Sequence, residues 1–369
     1  MTSATGASAG GIEASRLDTK FMYEKENYVE MSQVSLDYAV KASNLVAAPS
    51  TRATQESSRN RQSRTAMAFK KRFEGFDIGL KRFKSGTVQL IGSAASYGAG
   101  GGPVPSANVN MNTLTLMSKV DLGDNTDLLL GVNGNTLEDG TVTTTRAKLT
   151  ITGESNTSGV IGFAYSKPEI AMRIEVLMQP KSEMKARTNS VTFAYGKTKY
   201  TAANGCTTPA DDTVSFNSTL SRPSTLTLNI QSGVAADTVV FGSVHRTKWA
   251  GAQIDVPTGC SATATASKFW NTTTYTIGAA RKVSDSLALT ASVAKESGGS
   301  DASTSLFTVN NGYRAINLGA QYTVGKVKIS GGYNYTKLGD ITINPGGVNH
   351  TIYTGNKVSA FALKVGINF

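Results

Sequence analysis

The sequence has no apolar run of the roughly 18 residues that a membrane-crossing helix needs, so transmembrane helices are excluded. Cysteine is almost absent: Cys206 and Cys260 stand alone and form no Cys-x-x-Cys pair, so no zinc or iron–sulfur site, and no other metal or cofactor, is expected. The two histidines, His245 and His350, have no Gly-x-Ser-x-Gly nucleophile motif beside them, and catalysis finds no support. The run Gly98-Ala99-Gly100-Gly101-Gly102 is followed by Pro103 and a strand pattern rather than a helix, so it does not read as a phosphate cradle. Charged residues make up only 17%, thin cover for a soluble surface. Thr2–Gly11 is small and polar with no apolar core of a secretory signal; the expectation is that a signal peptide has been removed.

What is present is an even mixture of Thr, Ser, Gly, Asn and Ala with apolar residues. Such a mixture suits strands with one wet and one dry face. The C-terminus is the clearest case. Phe361, Leu363, Val365, Ile367 and Phe369 alternate with Ala362, Lys364, Gly366 and Asn368. A terminal aromatic of this kind resembles the signal that outer-membrane barrels present to their insertion machinery, so that machinery is an expected partner of Phe369.

The alternation recurs in pairs. Ile316–Val324 and Val327–Tyr335 flank Gly325-Lys326, and Tyr275–Ala279 and Leu287–Val293 flank Ser284-Asp285. Leu226–Ile230 and Thr238–Ile254 flank Ala236-Asp237. Beyond Lys167-Pro168-Glu169, a strand presents Ile170, Met172, Ile174, Val176 and Met178 on one face and Arg173, Glu175 and Gln179 on the other. Upstream come Asn108–Val120 with Asp127–Leu137, Thr65–Phe73 with Phe76–Tyr97, and a first strand Tyr28–Ser43 with Val34, Leu36, Tyr38 and Val40 on one side. The total is about fourteen strands. Connections alternate between turns of two to six residues and the long segments 44–64, 98–107, 138–157, 188–223, 256–271, 299–311 and 341–356. Short turns at one end and long loops at the other describe an all-β transmembrane antiparallel barrel, short ends periplasmic, in a Gram-negative outer membrane. A pair of soluble sandwiches is the competing architecture; it would need a charged exterior.

The net charge is +11, densest between Arg52 and Lys84, without the interleaved aromatics of a nucleic-acid arm. Lipopolysaccharide phosphates or anionic solutes are the expected counter-charges, and nucleic acid is not.

Several blocks carry a family likeness. Ala9-Gly10-Gly11-Ile12-Glu13-Ala14-Ser15, Phe21-Met22-Tyr23-Glu24 and Tyr28-Val29-Glu30-Met31-Ser32 resemble the mature N-terminus of alphaproteobacterial FadL-type barrels, the outer-membrane transporters of long-chain fatty acids. Ser166–Arg173, Gly233–Thr238 and Phe241–Trp249, with its Gly-Ser-Val…Trp pattern, resemble the same family. The resemblance implies a fourteen-stranded barrel over 28–369 with an N-terminal hatch, residues 1–27, inside the lumen. It also implies passive uptake of hydrophobic small molecules, fatty acids or aromatics, through an outer apolar cleft, a lumen site and a gap in the wall. Residues 1–27 are short and lack the family's Asn-Pro-Ala, and the third strand has Ser85-Gly86 where relatives often have a proline kink; glycine still suits a bulge.

Candidate lumen residues are Arg173, Glu175, Asn229, Gln231, Asn317, Gln321 and Asn334, either meeting a solute or simply stabilising the lumen, with Arg173 suited to a carboxylate head group. Leu149, Ile151, Phe193, Tyr195 and Tyr200 are candidates for the outer cleft, against plain loop packing. Arg246 and Lys248 share a strand parity that suits a cationic ring. Trp249, Trp270, Tyr335 and Tyr353 read as interfacial girdle. Cys206 and Cys260 lie in neighbouring loops on an oxidising surface and are expected to form a disulfide. A general diffusion porin and a structural barrel without transport remain as alternatives, and a monomer is expected.

Overall fold

The computed structural model describes residues 13–40, 42–44, 53–54, 58–90, 106–143, 147–192, 213–257, 263–265, 267–300, 302–303, 305, 308, 310–344 and 351–369. Fourteen strands close into one antiparallel ring. They are β1 (Tyr28–Val40), β2 (Ser58–Arg72), β3 (Phe76–Leu90), β4 (Ser106–Asp121), β5 (Thr126–Leu137), β6 (Glu154–Lys167) and β7 (Met172–Gln179). The ring continues with β8 (Thr225–Ala235), β9 (Thr238–Thr247), β10 (Thr272–Lys282), β11 (Leu287–Glu296), β12 (Tyr313–Val324), β13 (Val327–Leu338) and β14 (Lys357–Asn368). Each strand pairs with the next, and β14 returns to β1 with Asn368 opposite Tyr28 and Lys357 opposite Ala39. Closure supplies backbone partners that lipid cannot.

The period-two pattern sets which way each side chain points. Phe361, Leu363, Val365, Ile367 and Phe369 all stand exposed on the outer wall, as do Ile316 and Leu318 of β12 and Tyr275 and Ile277 of β10. An apolar belt around the whole ring belongs in hydrocarbon. The inner face is polar and paired: Thr115 donates to Asn133 at 2.6 Å and Thr113 to Asn135 at 2.8 Å, all four fully buried. Aromatic rings gather at the short-turn end, where Phe73 stacks on Phe76 at 4.9 Å and Phe69 meets Phe369 at 6.4 Å.

The β1 side bearing Val34, Leu36 and Tyr38 points inward, packing with Tyr313, Leu338 and Val358. Three expectations need correction. Ile170 ends a 3-10 turn, Pro168–Ile170, rather than opening a strand; Ala171, at φ 49°, reverses the chain before Met172. Segments 138–157 and 188–223 are not plain loops. They contain strands Gly140–Thr143, Ala147–Ile151 and Thr213–Arg222 and the end of Ser182–Thr192, which pair in series from the outer end of β4. Their short alternating apolar sets (Leu149 and Ile151; Met184 and Ala186) find a buried cluster to join, which holds them in register. Finally, Trp249 is buried against Phe269, ring centroids 6.1 Å apart, and Tyr353 is buried with Ile341 and Ile343, with Trp270 packed beside them. Of the four girdle candidates only Tyr335 stands on the outer wall. The inward tryptophan follows from strand parity: His245 and Thr247 are buried inward, and Trp249 is next on that side.

Candidate functional site

The N-terminal segment runs inside the ring. Glu13 and Ala14 pair with Thr87 and Gly86 of β3, and Ser15 continues the ladder with its amide 3.1 Å from the Ser85 carbonyl. A single 3-10 turn, Lys20–Tyr23, then buries Phe21 and Met22 among Ala68, Met117, Leu129 and Ala164 from four strands. Gly79 of β3 makes room for this turn: a Cβ there would lie 2.1 Å from the Met22 Sδ and 2.7 Å from the Phe21 ring.

Polar contacts tie the segment to both sides of the wall. The Glu175 carboxylate, 2% exposed, accepts from the Thr19 hydroxyl, the Tyr23 hydroxyl and the Asn229 amide, each at 2.8 Å. Arg173 lays its guanidinium 3.8 Å over the Tyr23 ring and donates to Gln231 at 3.3 Å. Lys81 donates to the Asp18 carbonyl at 2.9 Å and sits over the Phe21 ring. Below, Lys119 bridges Asp77 at 3.3 Å and Asp127 at 3.2 Å, Lys364 pairs with Glu30 at 3.0 Å, and Lys328 pairs with Glu24. The Asp18 carboxyl feels burial, which raises its pKa, but Lys81, Lys20 and Lys364 overcome this and hold it below the ordinary carboxylate range. Burial, then the charge of Glu175, pushes the Tyr23 hydroxyl above its usual range.

Between this segment and the far wall lies a cavity of about 440 Å³. Arg173, Glu175, Asn229, Gln231, Asn317 and Asn334 all line it, so six of the seven lumen candidates share one space. Gln321 lies beside it, accepting from the cavity-lining Ser330 at 3.4 Å. Asn334 donates to Asn317 at 2.7 Å, and Asn317 to Ser292 at 3.1 Å, a ladder along the wall. Leu17 and Phe241 add apolar surface to the same space.

The outer half of the lumen is different. Leu149 and Ile151 are buried there with Val109, Leu137, Met184, Leu220, Trp249 and Phe269. Arg222, reaching down from the outer hairpin, donates to Asn135 at 2.8 Å and Gln179 at 2.9 Å. Phe193, Tyr195, Tyr200, Cys206 and Cys260 lie outside the described residues. Arg246 and Lys248 point outward, away from the lumen, because they take the parity opposite to His245 and Thr247.

The wall itself has an irregularity beside the N-terminal segment. The β2–β3 ladder runs only from Arg72 opposite Asp77 to Met67 opposite Arg82. Both strands continue, β2 to Ser58 and β3 to Leu90, without pairing to each other. The register of β3 on β4 shifts at Ser85, between Lys84 and Gly86. This bulge sits at the Ser85-Gly86 pair, just beyond the last β2–β3 pair, where a bulge locally distorts its strand. Ser15 enters the space so made, and Arg64 of β2 donates to its hydroxyl at 3.2 Å.

Sequence reading missed Thr19, Tyr23, Gly79 and Arg222. Their partners are remote in the chain, and no periodicity marks them; Gly79 alone carried a signal, as a glycine inside a strand pattern. Among the described residues, no group of three acidic, histidine or cysteine side chains is placed to hold a metal.

No family model and no curated protein sequence matches the chain. Solved structures do. A FadL homologue of Pseudomonas aeruginosa superposes with a TM-score of 0.76 at 13% identity, covering 95% of this chain and 92% of that one. The toluene transporter TodX of Pseudomonas putida gives 0.64 at 11% identity over 94% and 91%. The toluene transporter TbuX of Ralstonia pickettii gives 0.62 at 11% over 95% and 92%. The chain therefore has the fold of the FadL-type barrels.

Proposed function

We propose that this chain is an outer-membrane channel for passive uptake of hydrophobic small molecules. In this reading the solute enters at the apolar cluster around Trp249 and Phe269 and passes to the cavity walled by Leu17 and Phe241. It then leaves sideways where β2 and β3 part. Residues 13–23 act as a hatch whose displacement opens that exit. The observation that carries the reading is the unzipped β2–β3 ladder with the N-terminal segment seated in it. The neighbours described as a FadL homologue and as toluene transporters support the same solute class. Arg173 and Asn229 at the cavity suit an acid head group, which favours a fatty acid, while the volume also accommodates a monoaromatic ring.

A general porin is the weaker reading, because the short-turn half of the lumen is filled by the hatch and by the Lys119, Asp77 and Asp127 charges. Proteoliposomes separate the two. Uptake of labelled oleate or toluene without osmotic swelling in small sugars supports the channel. Swelling in sugars with no hydrophobic uptake sinks it in favour of the porin, and neither activity leaves a structural barrel.

A further inference from the structure

The outer wall of β10–β14 carries a feature that the transport path does not use. Tyr275, Lys295, Arg314, Lys337 and Lys357 are successive cross-strand neighbours, one per strand, and the four cations are exposed on the outside of the ring. Lys295 faces Arg314, Arg314 faces Lys337, and Lys337 faces Lys357. Directly opposed like charges destabilise a sheet, yet three such pairs stand in series. None of the four has an ion-pair partner among the described residues. Neighbouring acids are committed elsewhere. Glu296 is buried inward beside Thr274, and Asp340 is held by Thr354 and Gly355. Asp37, on the outer face of β1, stands opposite Ser359 and Arg61 and makes no ion pair with Lys357.

The row of neighbours one step nearer the short turns is apolar: Ile277, Val293, Ile316 and Tyr335. Together with Tyr275, Lys295, Arg314 and Lys337 they line a shallow external groove of about 510 Å³. Cations thus cap an acyl-sized depression. From the short turns, these cations lie roughly 20–30 Å up the wall, given about 3.3 Å per residue and a tilt near 40°, where a belt of about 25 Å ends. That is the level of the outer-leaflet head groups.

We propose that this groove binds one phosphorylated glycolipid of the outer leaflet, the lipid A portion of lipopolysaccharide. An acyl chain lies along Ile277, Val293 and Ile316. Lys295, Arg314 and Lys337 donate charge-assisted hydrogen bonds to the phosphates. The anion relieves the like-charge row, and the exposed apolar depression is filled. The inference rests on the outer-membrane placement proposed above but not on transport.

The test is native mass spectrometry of the full chain reconstituted with lipopolysaccharide, with chemically dephosphorylated lipopolysaccharide, or with phosphatidylglycerol. The expected result is one retained lipopolysaccharide per chain. Retention falls about tenfold or more in the triple variant Lys295→Gln, Arg314→Gln, Lys337→Gln, and also on dephosphorylation. The conservative Lys337→Arg variant keeps it. Heat-modifiable electrophoretic mobility, which reports the closed barrel, stays unchanged in each variant. Equal retention by the folded triple variant, or equal retention of phosphatidylglycerol, overturns the proposal. A wild-type chain that retains lipopolysaccharide but takes up neither oleate nor toluene supports this site while sinking the transport reading.

Discussion

Thr19, on the N-terminal segment, donates its hydroxyl to the carboxylate of Glu175 at 2.8 Å across 156 residues of sequence. Tyr23 and Asn229 complete the shell of that buried acid. Glu175 therefore ties the N-terminal segment to β7 and β8 from the inside of the wall. Glu175→Gln keeps the shape but removes the charge and replaces one acceptor oxygen with a donor. Hydrogen bonds to a charged group contribute about 1.5–3 kcal/mol, so docking should weaken by about that much. Hydrogen exchange in residues 15–23 should rise, while the barrel keeps its heat-modifiable mobility. Unchanged protection would show that the latch lies elsewhere.

Gly79 tests the same docking from the opposite wall. Any Cβ there collides with Met22 and Phe21. Gly79→Val leaves the β2–β3 and β3–β4 ladders able to form, since valine suits a strand. The side chain should expel the 3-10 turn, exposing Phe21 and Met22 to proteases and raising the basal leak to small solutes. A Gly79→Val chain with the wild-type cleavage pattern would contradict the close fit.

Fold and site were legible to very different degrees. The alternation at Phe361–Phe369, and the paired runs around Gly325-Lys326 and Ser284-Asp285, define strands and turns locally, because a half-wet sheet imposes period two on each residue independently. Arg173, Glu175, Asn229 and Gln231 could be assigned to a wet face for the same reason. For Trp249 residue type and parity disagree: a tryptophan near a strand end suits an interface, but His245 and Thr247 already fix that side inward. The contacts of the N-terminal segment were not legible, since Thr19 and Glu175 meet only through closure of the whole ring. The strands within 138–157 and 188–223 were hidden for a similar reason. Their apolar residues are few and pay their way only in a cluster drawn from distant segments.

Trp249 anchors that outer cluster, edge-on to Phe269. Trp249→Ala should cost about 3–5 kcal/mol locally, as large-to-small changes at buried aromatics do. The barrel strands should hold while protection falls in Ala147–Ile151 and Ser182–Thr192. Uptake of oleate should fall as well if the solute first meets this cluster. Loss of local protection with undiminished uptake would remove the cluster from the path.

Two groups of the N-terminal segment, Asp18 and Tyr23, set a pH window for its docking. Asp18 has a folded pKa below its ordinary value, so the docked state binds fewer protons than the released one. Its contribution is complete above the ordinary carboxylate value, about 3.9, and is lost as pH falls below it. Tyr23 is shifted upward, so its contribution is complete below about pH 10 and is lost as pH rises further. Protection of residues 15–23 should thus be flat from about pH 5 to 9. A midpoint near pH 6 would mean that another group controls docking.

Ser15 continues the register of Ala14 opposite Gly86, its amide bonded to the Ser85 carbonyl at 3.1 Å, which sets it across from Ser85 at the bulge of β3. Directly opposed residues of an antiparallel pair bring their Cβ atoms to about 4.5–5.5 Å, close to what a disulfide requires. The Ser15→Cys, Ser85→Cys pair, made with Cys206→Ser and Cys260→Ser, should therefore cross-link without disturbing the ring. If displacement of this segment opens the exit between β2 and β3, the oxidised protein should lose oleate and toluene uptake, and reductant should restore it. The reduced form serves as its own control for folding and insertion. Full uptake through a quantitatively cross-linked barrel would mean that solutes leave by another route, and the parted β2–β3 ladder would then need a different purpose.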